Sequence, residues 1–162
     1  VAVGAFIMTR KVVVVTGNTG YRHQLDRARR FLERLDTAAN EIEFQDMIWA
    51  FFQNCWHVKD WMKHDPLVPE LTKESVIARA HQSVALMACR QLCNGTKHLG
   101  AEPGARHEHI ELESDLLGNS VMDCMVDNGA GRLISGRALA VICMGEWVAI
   151  LQSHGLVTTR SN

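Results

Sequence analysis

The sequence lacks three things, and each absence narrows its class. No run approaches the ~18 apolar residues that a membrane-spanning helix needs, so no membrane partner is expected. Neither sign of charge dominates: 17 Lys and Arg stand against 18 Asp and Glu, a net charge of -1. That excludes a broad electrostatic grip on nucleic acid or an anionic membrane and leaves only a local basic patch. No C-x-x-C pair is present. The cysteines, Cys55, Cys89, Cys93, Cys124 and Cys143, are odd in number and mostly sit in apolar periodic stretches. This pattern favours buried reduced thiols in a cytoplasmic protein over a disulfide framework. Cys89 and Cys93 share a helix face, but no second ligand set accompanies them, so no metal and no cofactor is expected.

Three further patterns are incomplete. The opening "VAVGAFIMTRKVVVV" has no basic segment before its apolar run, as a secretory signal would. Val1 to Ile7 read as an extension upstream of a start at Met8. "KVVVV" has strand composition without an evident pairing partner. "TGNTG" (16–20) lacks the Lys-Ser/Thr ending of a phosphate-binding loop and reads as a linker. Neither an internal repeat nor a low-complexity segment is visible.

What is present is long helical periodicity. The length suits one domain with a real core. Residues 1–20 are read as extension and linker, and 21–162 as a single helical domain. A first helix is expected over 21–35, with Leu25, Ala28, Leu32 and Leu35 inward. The charges of "RARRFLER" form its solvated face. The strongest helix spans 40–64, capped by Asn40, with Glu41 and Glu43 complementing its dipole. Phe44, Met47, Ile48, Phe51, Cys55, Val58 and Met62 make its inner stripe; Trp49, Phe52, Trp56 and Trp61 widen it. Pro66 and Pro69 end it. Thr72 is expected to cap a short helix to about Ala80. Another should follow over 81–97, with Val84, Met87, Leu92 and the two cysteines inward, and Gly95 ending its regular geometry.

The period then changes. In "HEHIELES" (107–114), charged and apolar residues alternate, which predicts a strand. "SVMDCMVD" and "GRLISG" follow, separated by the hairpin signals Gly118-Asn119 and Asn128-Gly129. A last helix over 137–154 turns Leu139, Ile142, Cys143, Trp147, Ile150 and Leu151 inward, and Gly155 ends it. The expected fold is mainly α: an antiparallel four- to five-helix bundle with a small three-stranded antiparallel β insertion at about 107–135.

Two sets of side chains carry chemistry. Asn54, His57, Trp61 and His64 share one stripe of the 40–64 helix, with Asp60 beside His57. A histidine held by a carboxylate can act as a general base. In the 81–97 helix, Arg90, Asn94 and His98 recur at intervals of four and also share a face. Arginine can hold a phosphate, histidine can move a proton, and asparagine can orient either. The bland readings stand beside these: a boundary histidine bonded to Asp60 or water, and an Asn-Gly helix end whose Lys97 and His98 complement the dipole.

Long antiparallel helices with an Arg/Asn/His cluster closing the third resemble the HEPN superfamily of prokaryotic helical domains. The resemblance covers roughly 21–99 and the last helix. It implies a dimer with a composite cleft and, in many members, ribonuclease activity in toxin–antitoxin or phage-defence systems. The family pattern Arg-x-x-Arg-Asn-x-x-x-His places its first Arg on Arg90, its Asn on Asn94 and its His on His98. Its second Arg, the phosphate ligand, falls on Cys93. "WHVKDWMKHDP" together with "CNGTKHL" is also similar to a group of bacterial proteins, which implies no particular activity.

With that Arg replaced, the expected function is a helical binding or interaction module, non-catalytic, with a protein or RNA partner. Asn54, His57, Asp60, His64, Asn94, Lys97 and His98 would line its groove. The alternative is a metal-independent ribonuclease using Arg90 and His98, with Asn94 and His57 assisting. A weaker alternative is a metal site at His107 and His109, which a regular strand would place on one face. A homodimer is expected because the aromatic load of the 40–64 helix exceeds what one small bundle can cover.

Overall fold

A computed structural model describes residues 20–97, 107–114, 120–127, 133–156 and 158. The 1–19 segment, with its expected extension and strand-like "KVVVV", lies outside the described residues. The described chain is mainly helical. Its elements run α1 (Tyr21–Arg34), a short 3-10 turn (Leu35–Thr37), α2 (Glu41–Lys63), α3 (Glu70–Gln82) and α4 (Val84–Lys97). Then come β1 (His107–Ser114), β2 (Ser120–Asp127), β3 (Leu133–Ser135) and α5 (Gly136–Ser153). The strands pair antiparallel in the order β1-β2-β3. The expected hairpin turns at Gly118-Asn119 and Asn128-Gly129 lie outside the described residues.

α2 is the axis of the core. Phe44, Ile48, Phe51, Phe52, Cys55, Val58 and Met62 are fully or almost fully buried along it. Asn40 caps it as expected, accepting from Glu43 N at 2.9 Å, while Glu43 Oε2 accepts from Ala39 N at 2.8 Å. α1 has no side-chain cap of its own. Buried Asp65, just beyond α2, supplies one: Oδ2 accepts from Tyr21 N at 3.1 Å and Oδ1 from Leu67 N at 2.9 Å. Gly20 makes this possible, since a Cβ there would lie 2.1 Å from Asp65 Oδ2.

Three expected boundaries are corrected. Thr72 does not cap α3; the helix starts at Glu70, after Pro69, whose extended backbone ends the preceding loop. The next helix starts at Val84, because extended Ser83 breaks the chain and its Oγ accepts from Leu86 N at 3.3 Å. Gly95 does not stop α4, which runs on to Lys97. Leu92 and Cys93 are buried just before it, so tertiary packing outweighs the ~1 kcal/mol helical cost of one glycine.

Two inward assignments also change. Val84 is 83% exposed, because it stands at the first position of α4, before the packed turn begins. Ile142 is 51% exposed, because α5 is apolar on both sides and only one side meets the core. Leu139, Cys143, Trp147, Ile150 and Leu151 do turn inward, and Trp147 Nε1 donates to Cys55 O at 3.0 Å. Gly155 ends α5 as expected, at φ 66°. Leu156 N and Gly155 N close the end on Leu151 O (2.9 Å) and Gln152 O (3.0 Å).

The sheet joins the helices through one buried carboxylate. Asp123 Oδ1 accepts from Cys124 N (2.7 Å) and Arg137 N (3.1 Å), and its Oδ2 accepts from Ser135 Oγ. Arg137 then donates to Met122 O (2.6 Å), Leu35 O (2.9 Å) and Asp36 Oδ1 (2.5 Å), and covers the Phe44 ring at 5.1 Å. One arginine thus ties β2, the 3-10 turn, α2 and α5 together.

Candidate functional site

The stripe on α2 is divided among structural tasks. Gln24 Nε2 donates to Asn54 O at 2.9 Å and to Asn54 Oδ1 at 3.0 Å, and Asn54 Nδ2 donates to Ala50 O at 2.6 Å. Asn54 is therefore a fastener between α1 and α2. Trp61 faces the same way, under the Arg27 guanidinium at 5.6 Å. Asp60 pairs with its neighbour Lys59 at 2.6 Å, and Lys59 Nζ lies 5.0 Å from the Trp56 ring centre. His57 is half-buried and His64 is exposed at the C-cap of α2.

α4 meets α2 on a different side. Cys89 Sγ donates to Phe52 O at 3.3 Å, and Cys89 and Cys93 are wholly buried. Arg90 points to solvent and Asn94 is half-buried. At Cys89 the contact between the two helices is buried and apolar, and Asn54 belongs to the α1 side. Lys97 closes α4, with its side chain outside the described residues; His98 lies wholly outside them. His107 and His109 both fall in β1, but the register slips between them: His107 opposes Val126 and His109 opposes Met125. Among the described residues, no group of three or more His, Cys, Asp or Glu is arranged to hold a metal ion.

The thiols gather instead in the core. Cys55 (α2), Cys89 (α4) and Cys143 (α5) are fully buried and close enough to influence one another. Cys143 Sγ also donates to Ala85 O at 3.4 Å. Burial pushes the Cys55 and Cys89 thiols well up, whereas the neighbouring Cys55 and then Cys89 thiols bring Cys143 down to about 5. Cys124 stands apart against Asp123; burial, and then that carboxylate, push it up to about 12. All five cysteines are free and buried, as their apolar settings predict.

The feature that the sequence reading missed is on the outer side of α5. Ala138, Val141, Ile142, Gly145 and Ala149 are exposed and recur at intervals of three and four. They form one apolar stripe along the helix. Arg137 and Glu146 are the only charged residues of α5. Arg137 is engaged as described above, and Glu146 is half-buried beside the stripe. A helix apolar all round was the available signal: its two faces compete for the core, and only one can win. No helix among the described residues is long and apolar enough to cross a membrane, so this face is not part of a spanning helix.

No family model, no curated protein and no solved structure matches this chain.

Proposed function

We propose that this chain is a non-catalytic, HEPN-like helical interaction module of a bacterial cytoplasm, of the kind that serves toxin–antitoxin or phage-defence systems, and that it acts by presenting a face to a protein partner. The observation that carries this reading is the uncovered apolar stripe of α5. Its second support is the division of the polar candidates. Asn54 fastens α1, Asp60 pairs with Lys59, and buried Cys93 holds the place of the family's phosphate-binding Arg. Five free buried thiols suit a reducing compartment.

A metal-independent ribonuclease remains the second reading, favoured by one observation. α4 continues through Gly95 to Lys97, so the Asn-Gly does not cut the helix short directly after the Arg90–Asn94 face. Arg90 would still have to act from one helical turn before the family position, ~4.5 Å along the axis.

The test is incubation of metal-stripped protein with mixed RNAs, beside Arg90→Ala and His98→Ala. No cleavage above background is expected. Cleavage lost in both variants establishes the ribonuclease and overturns the module.

A further inference from the structure

We infer that Ser75 is an acyl-acceptor site: His154 takes the proton of its hydroxyl, and an activated acyl donor, such as an aryl ester or a thioester, leaves its acyl group on Ser75 Oγ. This goes beyond the interaction-module reading and does not depend on it.

The first argument is the hydrogen-bond chain. Ser75 lies on the exposed side of α3, and His154 is the C-cap residue of α5. His154 Nδ1 stands 2.8 Å from Ile150 O. A carbonyl oxygen can only accept, so Nδ1 carries the proton. The neutral ring then presents a lone pair at Nε2, and Ser75 Oγ lies 2.8 Å from it. The serine hydroxyl is therefore the donor, aimed at a base. A nucleophile bonded to a base, and a base oriented by a third group, is the arrangement that activates serine. Here a main-chain carbonyl stands in the third place.

The second argument is that the fold fixes both partners. Val76, beside Ser75, is wholly buried and anchors α3. His154 is half-buried, and Gly155, at φ 66°, closes the chain behind it. Ser153 Oγ lies 3.2 Å from Nδ1 but donates its own proton to Ile150 O at 2.8 Å. It belongs to the orienting side of the ring, and Ser75 alone faces the basic nitrogen.

The third argument sets the chemistry. Exposed Arg79 follows Ser75 by four residues on the same face of α3. Helical side chains lean toward the N-terminus, which brings its guanidinium back over the turn that holds Ser75. Ser75 Oγ attacks the acyl carbon, and its proton passes to His154 Nε2. The carbonyl oxygen, negative in the tetrahedral intermediate, is within reach of Arg79. Collapse breaks the bond to the leaving group, and Nε2 returns its proton to that group or to water. An ester on Ser75 and a neutral imidazole remain.

The reaction stops there. Lys73 N already donates to Pro69 O at 3.0 Å, so from that residue on the amides of α3 are engaged in the helix. They cannot form a backbone oxyanion hole at Ser75. An activated donor, with its good leaving group, can react without one; hydrolysis of the resulting alkyl ester needs it. Ser75 is thus modified once and does not turn over.

Incubation of the full chain with p-nitrophenyl acetate tests this, read by intact mass, by mapping of the acetylated peptide and by p-nitrophenolate release. Acetylation of Ser75 is expected, with release from that site ending at one equivalent. His154→Gln keeps a hydrogen-bonding group toward Ser75 but cannot take its proton. It should slow Ser75 acetylation by at least ~100-fold with circular dichroism unchanged. Arg79→Ala should slow it by up to about fivefold, the effect of one exposed charge. Ser153→Ala should leave it unchanged. A wild type in which Ser75 stays unmodified, or is acetylated no faster than in His154→Gln, overturns the assignment. Continued release that Ser75→Ala abolishes overturns it too, by making the site an esterase.

Discussion

α2 and α5 are both apolar on more than one side, yet α2 is covered within the chain and α5 is not. α2 carries the aromatics, and Phe51, Phe52 and Trp56 are buried against neighbours on several sides. Trp49 and Trp61 pack half-buried at its margins, the latter under Arg27. The surplus expected to need a second chain is therefore met by α1, α3, α4 and α5. α5 has a lighter load of Val, Ile, Ala and Gly, and half of it faces outward. The difference lies in position: a central helix finds partners all round, an outer one on one side only. Aromatic content is a poor guide to where a monomer is unfinished.

The comparison is broken most severely by truncating the inner face of α5. Trp147 is wholly buried, and its indole donates to Cys55 O, so it links α5 to α2. Trp147→Ala should cost about 4 kcal/mol, mainly through the cavity it leaves and in small part through the lost indole hydrogen bond, read as a lower urea midpoint. Ile142→Ala, on the outer face of the same helix, should shift monomer stability by less than ~0.5 kcal/mol. Equal losses would mean that the two faces of α5 are not distinct.

A smaller loss is expected where α5 begins. A Cβ on Gly136 would lie 2.3 Å from Cys124 Sγ and 3.1 Å from Cys124 O. Neither can retreat easily, because β2 is fixed there by the Asp123 network. Gly136→Ala should destabilise by about 2 kcal/mol, an overpacking cost, measured by thermal or urea unfolding. The corresponding change at Gly145 has the opposite sign, which is the sharper half of this contrast.

Local pattern made much of this fold legible, and long-range partnership did not. The stripe of α2, the Asn40 cap and the Gly155 stop each depend on residues within a turn or two, and all three hold. Asp65 capping Tyr21 and Arg137 reaching Asp36 join residues far apart in sequence, and no periodicity announces them. The surroundings of the candidate site were illegible for the same reason. Spacing showed that Asn54, His57 and Trp61 share a stripe, but not that α1 faces it. Asn94-Gly95 looked like a stop because its local cost was visible and the burial of Leu92 and Cys93 was not. Ile142 looked buried because hydropathy gives the width of an apolar face without saying which part has a neighbour.

Alkali sharpens the contrast between the dry side of α5 and its wet one. The Cys124 thiol moves from 9.0 to about 12 in the fold, through burial and then the Asp123 charge. The unfolded chain then ionises first as pH rises, so stability is lost from pH ~9 up to ~12 and is unaffected below. At pH 10 this amounts to about 1.4 kcal/mol for that group alone. Cys55 and Cys89, also raised, add in the same direction, whereas the lowered Cys143 stabilises the fold by an amount that grows up to pH ~9 and stays constant above it. Unfolding midpoints of the wild type should fall across this window, and those of Cys124→Ala should fall less steeply. Parallel curves would mean that the Cys124 thiol ionises as readily folded as unfolded.

The smallest effect is the most diagnostic, because it separates the stability of the monomer from the binding of a partner. Gly145 lies mid-helix on an exposed face with open space where a Cβ would stand, and its φ is not positive. Alanine can take the same backbone without strain and loses less conformational entropy on folding. Gly145→Ala should therefore stabilise the monomer by about 0.5–1 kcal/mol, seen as a higher urea midpoint of the isolated chain. A partner seated on this face would meet the added methyl, so the same change should weaken association through α5 while strengthening the fold. A gain in both would show that the open space has no occupant. A loss of monomer stability would show that something in this chain already fills it.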